Sequence, residues 1–284
     1  MWKIASAAVF AACFGVSGGV QAADLSLKDT PVAGYAPALQ WPSFYVGGHL
    51  GGAFGNTDIT DVFNYNGDPR ADNSVSSTGL ITGAQLGYNL QSGKFVYGIE
   101  ADLGYLNLSG DKTAALPNPT GSKSNDISAT YTTSGGLYGD LTGRLGYASG
   151  NSLFYVKGGV ALLNAELDAD YTGANCSTTS SCYSNGKKVN VAKNPSKFGF
   201  DNSDTLVGWT LGVGLEYALS SSWSVKLEYQ HFDFGSLSYE YSGTYKFTDS
   251  SCCIPSKLNG KVDADITADA VMVGLNYQFS LGGN

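Results

Sequence analysis

Along most of the chain, apolar positions alternate with small or polar ones at a period of two. In the stretch WSVKLEYQHFDFG, Trp223, Val225, Leu227 and Tyr229 fall on one side of an extended backbone, and Lys226, Glu228 and Gln230 on the other. Eight segments read this way: Phe44–Phe54, Gly79–Leu90, Lys94–Asn107, Gly136–Ala148, Ser152–Ala165, Leu206–Leu219, Trp223–Gly235 and Asp265–Phe279. Each runs to about ten residues or more, where soluble strands average nearer five or six. That is the length of a strand that crosses a bilayer.

The links between segments alternate strictly between short and long. QSG, SGN and SSS join the second segment to the third, the fourth to the fifth and the sixth to the seventh. The other links, expected as loops over 55–78, 108–135, 166–205 and 236–264, are rich in Ser, Thr, Asn, Gly and Asp. A soluble domain has no reason to sort its loops by parity, whereas an outer-membrane barrel has tight periplasmic turns and long outer loops. The expected fold is therefore all-β: an eight-stranded, antiparallel, up-and-down transmembrane barrel spanning 44–279.

In such a barrel the apolar face meets lipid. Its sets include Tyr97, Ile99, Leu103 and Tyr105, then Leu137, Leu141, Leu145 and Tyr147, then Trp209, Leu211, Val213, Leu215 and Tyr217. Aromatics recur near segment ends, as interfacial girdles require. The opposite face carries Glu100, Asp102, Asp140, Arg144, Lys157, Glu216, Lys226 and Glu228, interleaved with glycines. A barrel of this size is just filled by its own side chains. The spacing thus predicts a plugged lumen in which Arg144, Lys157 and Lys226 neutralise carboxylates, because a charge buried alone is costly.

The ends and the composition narrow the compartment. MWKIASAAVFAACFGVSGGVQAAD has a basic start, an apolar run and small residues before a cut expected after Ala22, with Ala23 the alternative, so 1–22 reads as a secretory signal. Residues 23–43 then form a periplasmic N-terminal segment, and 280–284 a C-terminal extension. The formal net charge of −8 argues against nucleic acid as a partner. Of the five cysteines, Cys13 leaves with the signal, and Cys176, Cys182, Cys252 and Cys253 remain as candidates for loop disulfides. The short CSTTSSC spacing favours Cys176 with Cys182; a vicinal pair, free thiols or cross-pairing stay open for the other two. Without a nearby His, a metal site at these cysteines is the weaker reading.

The motifs WPSFYVGGHLGGAFG, LEYQHFDFGS and VMVGLNYQF, in this order and at the two ends of the mature chain, carry a resemblance. The sequence resembles the small outer-membrane β-barrel, or porin-like surface antigen, family of alphaproteobacteria, over nearly all of its mature length. The resemblance implies a cell outer-membrane location, envelope structure and surface presentation, contact with outer-membrane lipid and lipopolysaccharide, and insertion by the barrel-assembly machinery. Family members typically end at the aromatic of the last strand, whereas SLGGN follows Phe279 here.

Little in the chain suggests chemistry. Barrels that modify lipid A need a nucleophile and a base at the rim. His49 falls on the inward parity, and His231 on the outward parity with Ser236 and Ser238 not far along, but no nucleophile elbow accompanies it. The expectation is no enzyme, no cofactor and no resident metal. In the third long loop Lys187, Lys188, Lys193 and Lys197 could meet anions such as lipopolysaccharide phosphates or haem propionates. Asp263, Asp265 and Asp269, like Glu166, Asp168 and Asp170, sit on the outward parity beyond the lipid-facing runs, where they could bind divalent cations. The leading functional reading is a structural barrel and surface antigen; porin-type diffusion is the alternative, and loop-mediated contact with haem, lipopolysaccharide or a host surface the third.

Overall fold

The computed structural model describes residue 41 and residues 44–63, 70–116, 127–172, 182–184, 187–189, 197–249 and 252–279. Eight antiparallel strands form the body: β1 (Phe44–Phe63), β2 (Arg70–Ser92), β3 (Phe95–Leu116), β4 in two pieces (Ile127–Ser134 and Leu137–Ser149), β5 (Ser152–Thr172), β6 (Lys197–Ala218), β7 (Trp223–Asp249) and β8 (Cys252–Phe279). β1 pairs with both β2 and β8, from Phe44 opposite Phe279 onward, and this closes the sheet into a ring. Two turns are two-residue hairpins with Gly93 (φ 61°) and Gly150 (φ 58°), positions that need the left-handed backbone glycine adopts freely.

The strands run well past the segments read from alternation. β7 and β8 reach 27 and 28 residues, and most of the stretches expected as loops 55–78, 108–135, 166–205 and 236–264 are ladder-paired strand. The physical reason is that the polar extensions keep the period of two. Beyond Phe54, for example, Ile59 continues the inward parity of His49 while Asp58 and Thr60 continue the outward one. Ser, Thr and Asp outside a barrel in water cost nothing, so the backbone goes on satisfying its hydrogen bonds by pairing.

Two irregularities shape the upper half. A β-bulge between Asp233 and Ser236, with Gly235 at φ 77°, bends β7, and the ladder between β6 and β7 ends beside it at Trp209 opposite Asp233. The break of β4 between Ser134 and Leu137 lies level with the last pair joining β2 to β3, Thr78 opposite Ser109. Among the described residues no ladder joins these neighbours further up. The ring therefore closes through its lower part and divides above into two four-stranded sheets, β7-β8-β1-β2 and β3-β4-β5-β6.

Residues 1–40, the cut after Ala22, Cys176, Lys193 and residues 280–284 lie outside the described residues. For Cys182, Lys187, Lys188, Lys197, Cys252 and Cys253 only the backbone is described. Cys182–Ser184 pairs with Lys187–Val189 as a short hairpin, and Cys252 and Cys253 lie opposite Asp249 and Thr248.

Candidate functional site: the filled interior and its outer rim

Alternation sorts the membrane section cleanly. On β3, Ile99 and Leu103 are 62% and 68% exposed, while Glu100 between them is 1% exposed. The outward sets of β2 to β8 remain accessible on the outer wall, so the apolar side is the one that needs lipid. Phe44, Phe279, Tyr277 and Trp223 form a contiguous aromatic group at the turn end, with ring centroids 5.0 to 5.6 Å apart.

Inside, three layers follow one another along the axis. At the turn end Trp41 is fully buried against Val96, Ala148, Leu153, Tyr155 and Ala218, and its backbone N–H donates to the Gln91 side chain. Above it lie the eight charged residues expected in the lumen, each 6% exposed or less. The Lys157 ammonium meets Glu100 at 2.9 Å, Glu228 at 2.8 Å and Asp102 at 3.4 Å. Lys226 approaches Glu228 at 3.4 Å and Glu100 at 3.7 Å. Arg144 donates to Glu216, which also accepts from Ser224 and Asn276, and its guanidinium lies 3.7 Å from the centre of the Tyr155 ring. Asp140 departs from the cation pairing: it accepts from the Gln230 amide at 2.9 Å.

Two tyrosines not singled out from the sequence, and His49 on its inward parity, complete this layer. The Tyr45 hydroxyl donates to Glu100 at 2.6 Å, and Tyr155 donates to Glu228. His49 is buried, bridging Gln85 and the Tyr138 hydroxyl, with Asp102 at 3.5 Å. The signal for these tyrosines was their inward parity. Glycine makes the room: a Cβ on Gly87 would sit 2.3 Å from the Tyr45 ring, and one on Gly214 2.3 Å from the Tyr155 ring.

The third layer inverts the polarity. Between the two upper sheets the interior is apolar, with Ile59, Val75, Leu108, Leu167, Leu237 and Val262 among its buried members. Among the described residues one buried carboxylate sits in it. Asp61 is fully buried and accepts hydroxyl hydrogen bonds from Tyr131 (2.7 Å), Tyr171 (2.7 Å) and Tyr241 (2.8 Å). Burial raises its carboxyl above the ordinary aspartate range, against the pull of the three phenols.

The closed ring, the apolar outer wall and the charged interior are those of a membrane barrel. The family model for the outer membrane protein beta-barrel domain matches residues 7–279. The chain belongs to that family. It is similar to the 31 kDa outer-membrane immunogenic protein of Brucella melitensis biotype 1, with 25% identity over 278 residues covering 96% of this chain and 98% of that protein. It is also similar to the 22 kDa outer membrane protein of Rhizobium leguminosarum bv. viciae, 28% identical over 74% of this chain and 72% of that one. Among solved structures it resembles Neisserial surface protein A (TM-score 0.35, 10% identity, 83% and 97% covered) and OprG from Pseudomonas aeruginosa (TM-score 0.39, 13% identity, 84% and 96% covered). It is an outer-membrane protein, and barrels of that membrane keep their short turns in the periplasm and their longer connections outside.

On the upper half the weighed surface groups have specific partners. Asp269 accepts from the Tyr229 hydroxyl at 2.6 Å and lies 2.8 Å from His231 Nδ1; Asp265 accepts from Ser236, and Asp263 from Ser238 and Lys261. The serines weighed as nucleophiles beside His231 are thus bonded to other carboxylates. Among the described residues no His, Cys, Asp or Glu group of three or more has metal-holding geometry. Glu166, Asp168, Asp170 and Asp201 gather on the outer face of β5 and β6. Burial, then Glu166, Asp201 and Asp170 as like charges, raise the Asp168 carboxyl.

Proposed function

We propose that this protein is a non-conducting envelope barrel that anchors in the outer membrane and holds a stiff β extension outside the cell as a presented surface. The carrying observation is that the interior is occupied at all three levels, and above all that Lys157 ties Glu100 of β3 to Glu228 of β7 on the opposite wall, while Arg144 of β4 reaches both Tyr45 of β1 and Glu216 of β6. A lumen packed with ion pairs leaves no continuous water path, because an eight-stranded barrel has room for side chains or water but not both. The word immunogenic in the name of the Brucella relative supports surface presentation. Lipid, lipopolysaccharide and the barrel-assembly machinery are its proposed partners. No catalysis is assigned, since His231 is engaged with Asp269 rather than with a serine.

Planar-bilayer conductance of the purified mature protein tests the reading. Silence in the wild type, with leak after Arg144 and Lys157 are both replaced by Ala, supports the seal. Stable stepwise channels in the wild type would overturn it and make the protein a diffusion porin.

A further inference from the structure

The division of the upper barrel leaves strand edges without a ladder partner among the described residues. Above the Trp209–Asp233 pair, β6 is bonded only to β5 and β7 only to β8 among the described residues. Ser203, Asp204 and Thr205 are all exposed, which breaks the buried–exposed alternation of a strand paired on both sides. The backbone shows what an edge does without a strand beside it: the Thr205 N–H donates to the Asp204 carboxylate at 2.7 Å, and the Gly235 N–H to Asp233 at 3.1 Å. An edge of this kind is a template for another strand.

The seam is also acidic. Asp201 and Asp204 line the β6 side, Glu240 the β7 side, and Glu166, Asp168 and Asp170 stand on β5 directly behind β6. Lys261, opposite Glu240, is paired with Asp263 at 2.7 Å. A second copy of this chain would bring the same acids against these, and like charges opposed across a ladder are destabilising. On the inner side, Phe200 of β6 and Tyr239 of β7 stack at 4.4 Å and close the seam against the core.

We infer that the β6–β7 seam is a docking site for an extended cationic polypeptide, which adds as a strand to the free edge above the membrane. Main-chain hydrogen bonds supply the affinity, and lysine or arginine on alternate residues meets Asp201 and Glu240 on the outward face. This goes beyond surface presentation, because it places a partner at a defined edge, and it holds whether or not the lumen conducts.

The test uses the mature protein in lipid nanodiscs and a short peptide of alternating lysine and valine. Saturable binding with new amide-exchange protection in 199–208 and 236–242 is expected. N-methylation of alternate peptide amides, which keeps the charge but removes donors, should weaken binding about ten-fold or more. The double variant Asp201→Asn, Glu240→Gln should also lose about ten-fold, and salt should weaken the wild type alone. The proposal is overturned by absent binding, by equal binding of the N-methylated peptide, or by protection at the β2–β3 parting instead. It is equally overturned if the seam amides are already protected in the free protein, or become so through peptide-independent dimers.

Discussion

The Asp61 carboxylate of β1 and the Tyr171 hydroxyl of β5 stand 2.7 Å apart, joining the two upper sheets through residues 110 positions apart in sequence. Tyr131 of β4 makes a second cross-sheet bond to the same carboxylate, and the Tyr171 and Tyr241 rings meet at 5.1 Å from opposite sheets. Where ladder bonds stop, this cluster takes over the work of holding the barrel walls together.

Replacing Asp61 by Ala leaves Tyr131 and Tyr171 without this acceptor in a closed apolar space. Loss of a buried hydrogen-bond acceptor costs about 1–3 kcal/mol. The expected outcome is faster proteolysis and amide exchange in 55–63, 127–134 and 165–172, with the membrane section still resistant. Unchanged exchange in the upper strands would show that the apolar contacts alone hold the sheets.

The same carboxylate gives a pH dependence. Its folded value is raised by burial, so the folded form binds the proton more tightly than the unfolded chain, whose carboxyl titrates near about 3.9. Its contribution is fully present below the unfolded value and is lost as pH rises through the folded one. Measured against Asp61→Asn, which does not titrate, the wild type should gain relative stability of the upper half on acidification. Exchange rates of both proteins across the acidic range check the sign, and a difference that shrinks toward acid would contradict it.

In the lumen, Lys157→Met leaves Glu100, Glu228 and Asp102 without their shared ammonium. Removing one partner of a buried pair costs about 3–5 kcal/mol. Urea unfolding in lipid vesicles should register this loss, and adding Glu100→Gln should recover part of it by removing one of the stranded charges.

Gly87→Ala drives a methyl into the Tyr45 ring. The expected destabilisation is about 1–3 kcal/mol, the usual range for overpacking. Tyr45→Ala in the same chain should make the added methyl harmless, which a double-mutant cycle on unfolding midpoints can read.

Much of the membrane section was legible because a closed barrel in lipid obeys a single rule at each position. Ile99 out and Glu100 in follow from a period of two, and a partner for Lys157 follows from the cost of burying a charge alone. Which carboxylates it would choose did not follow: Glu100, Asp102 and Glu228 come from strands that meet only when the ring closes. Tyr45 and Tyr155 were hidden because tyrosine at a strand end fits an interfacial girdle as well as a lumen. The upper half was harder, since polar alternation of strands in water looks like loop composition until pairing is seen.

The sequence by itself determined the parity of every lipid-facing residue, the strand count, and the compartment, because each rests on local periodicity and transfer energies that neighbours do not alter. Only the tertiary structure decided how far the strands run, where the ladders part, and that Asp61 would be met by three phenols. Those outcomes depend on strand register and curvature, which the bulge at Asp233–Ser236 and the break after Ser134 set through contacts between residues far apart in the chain.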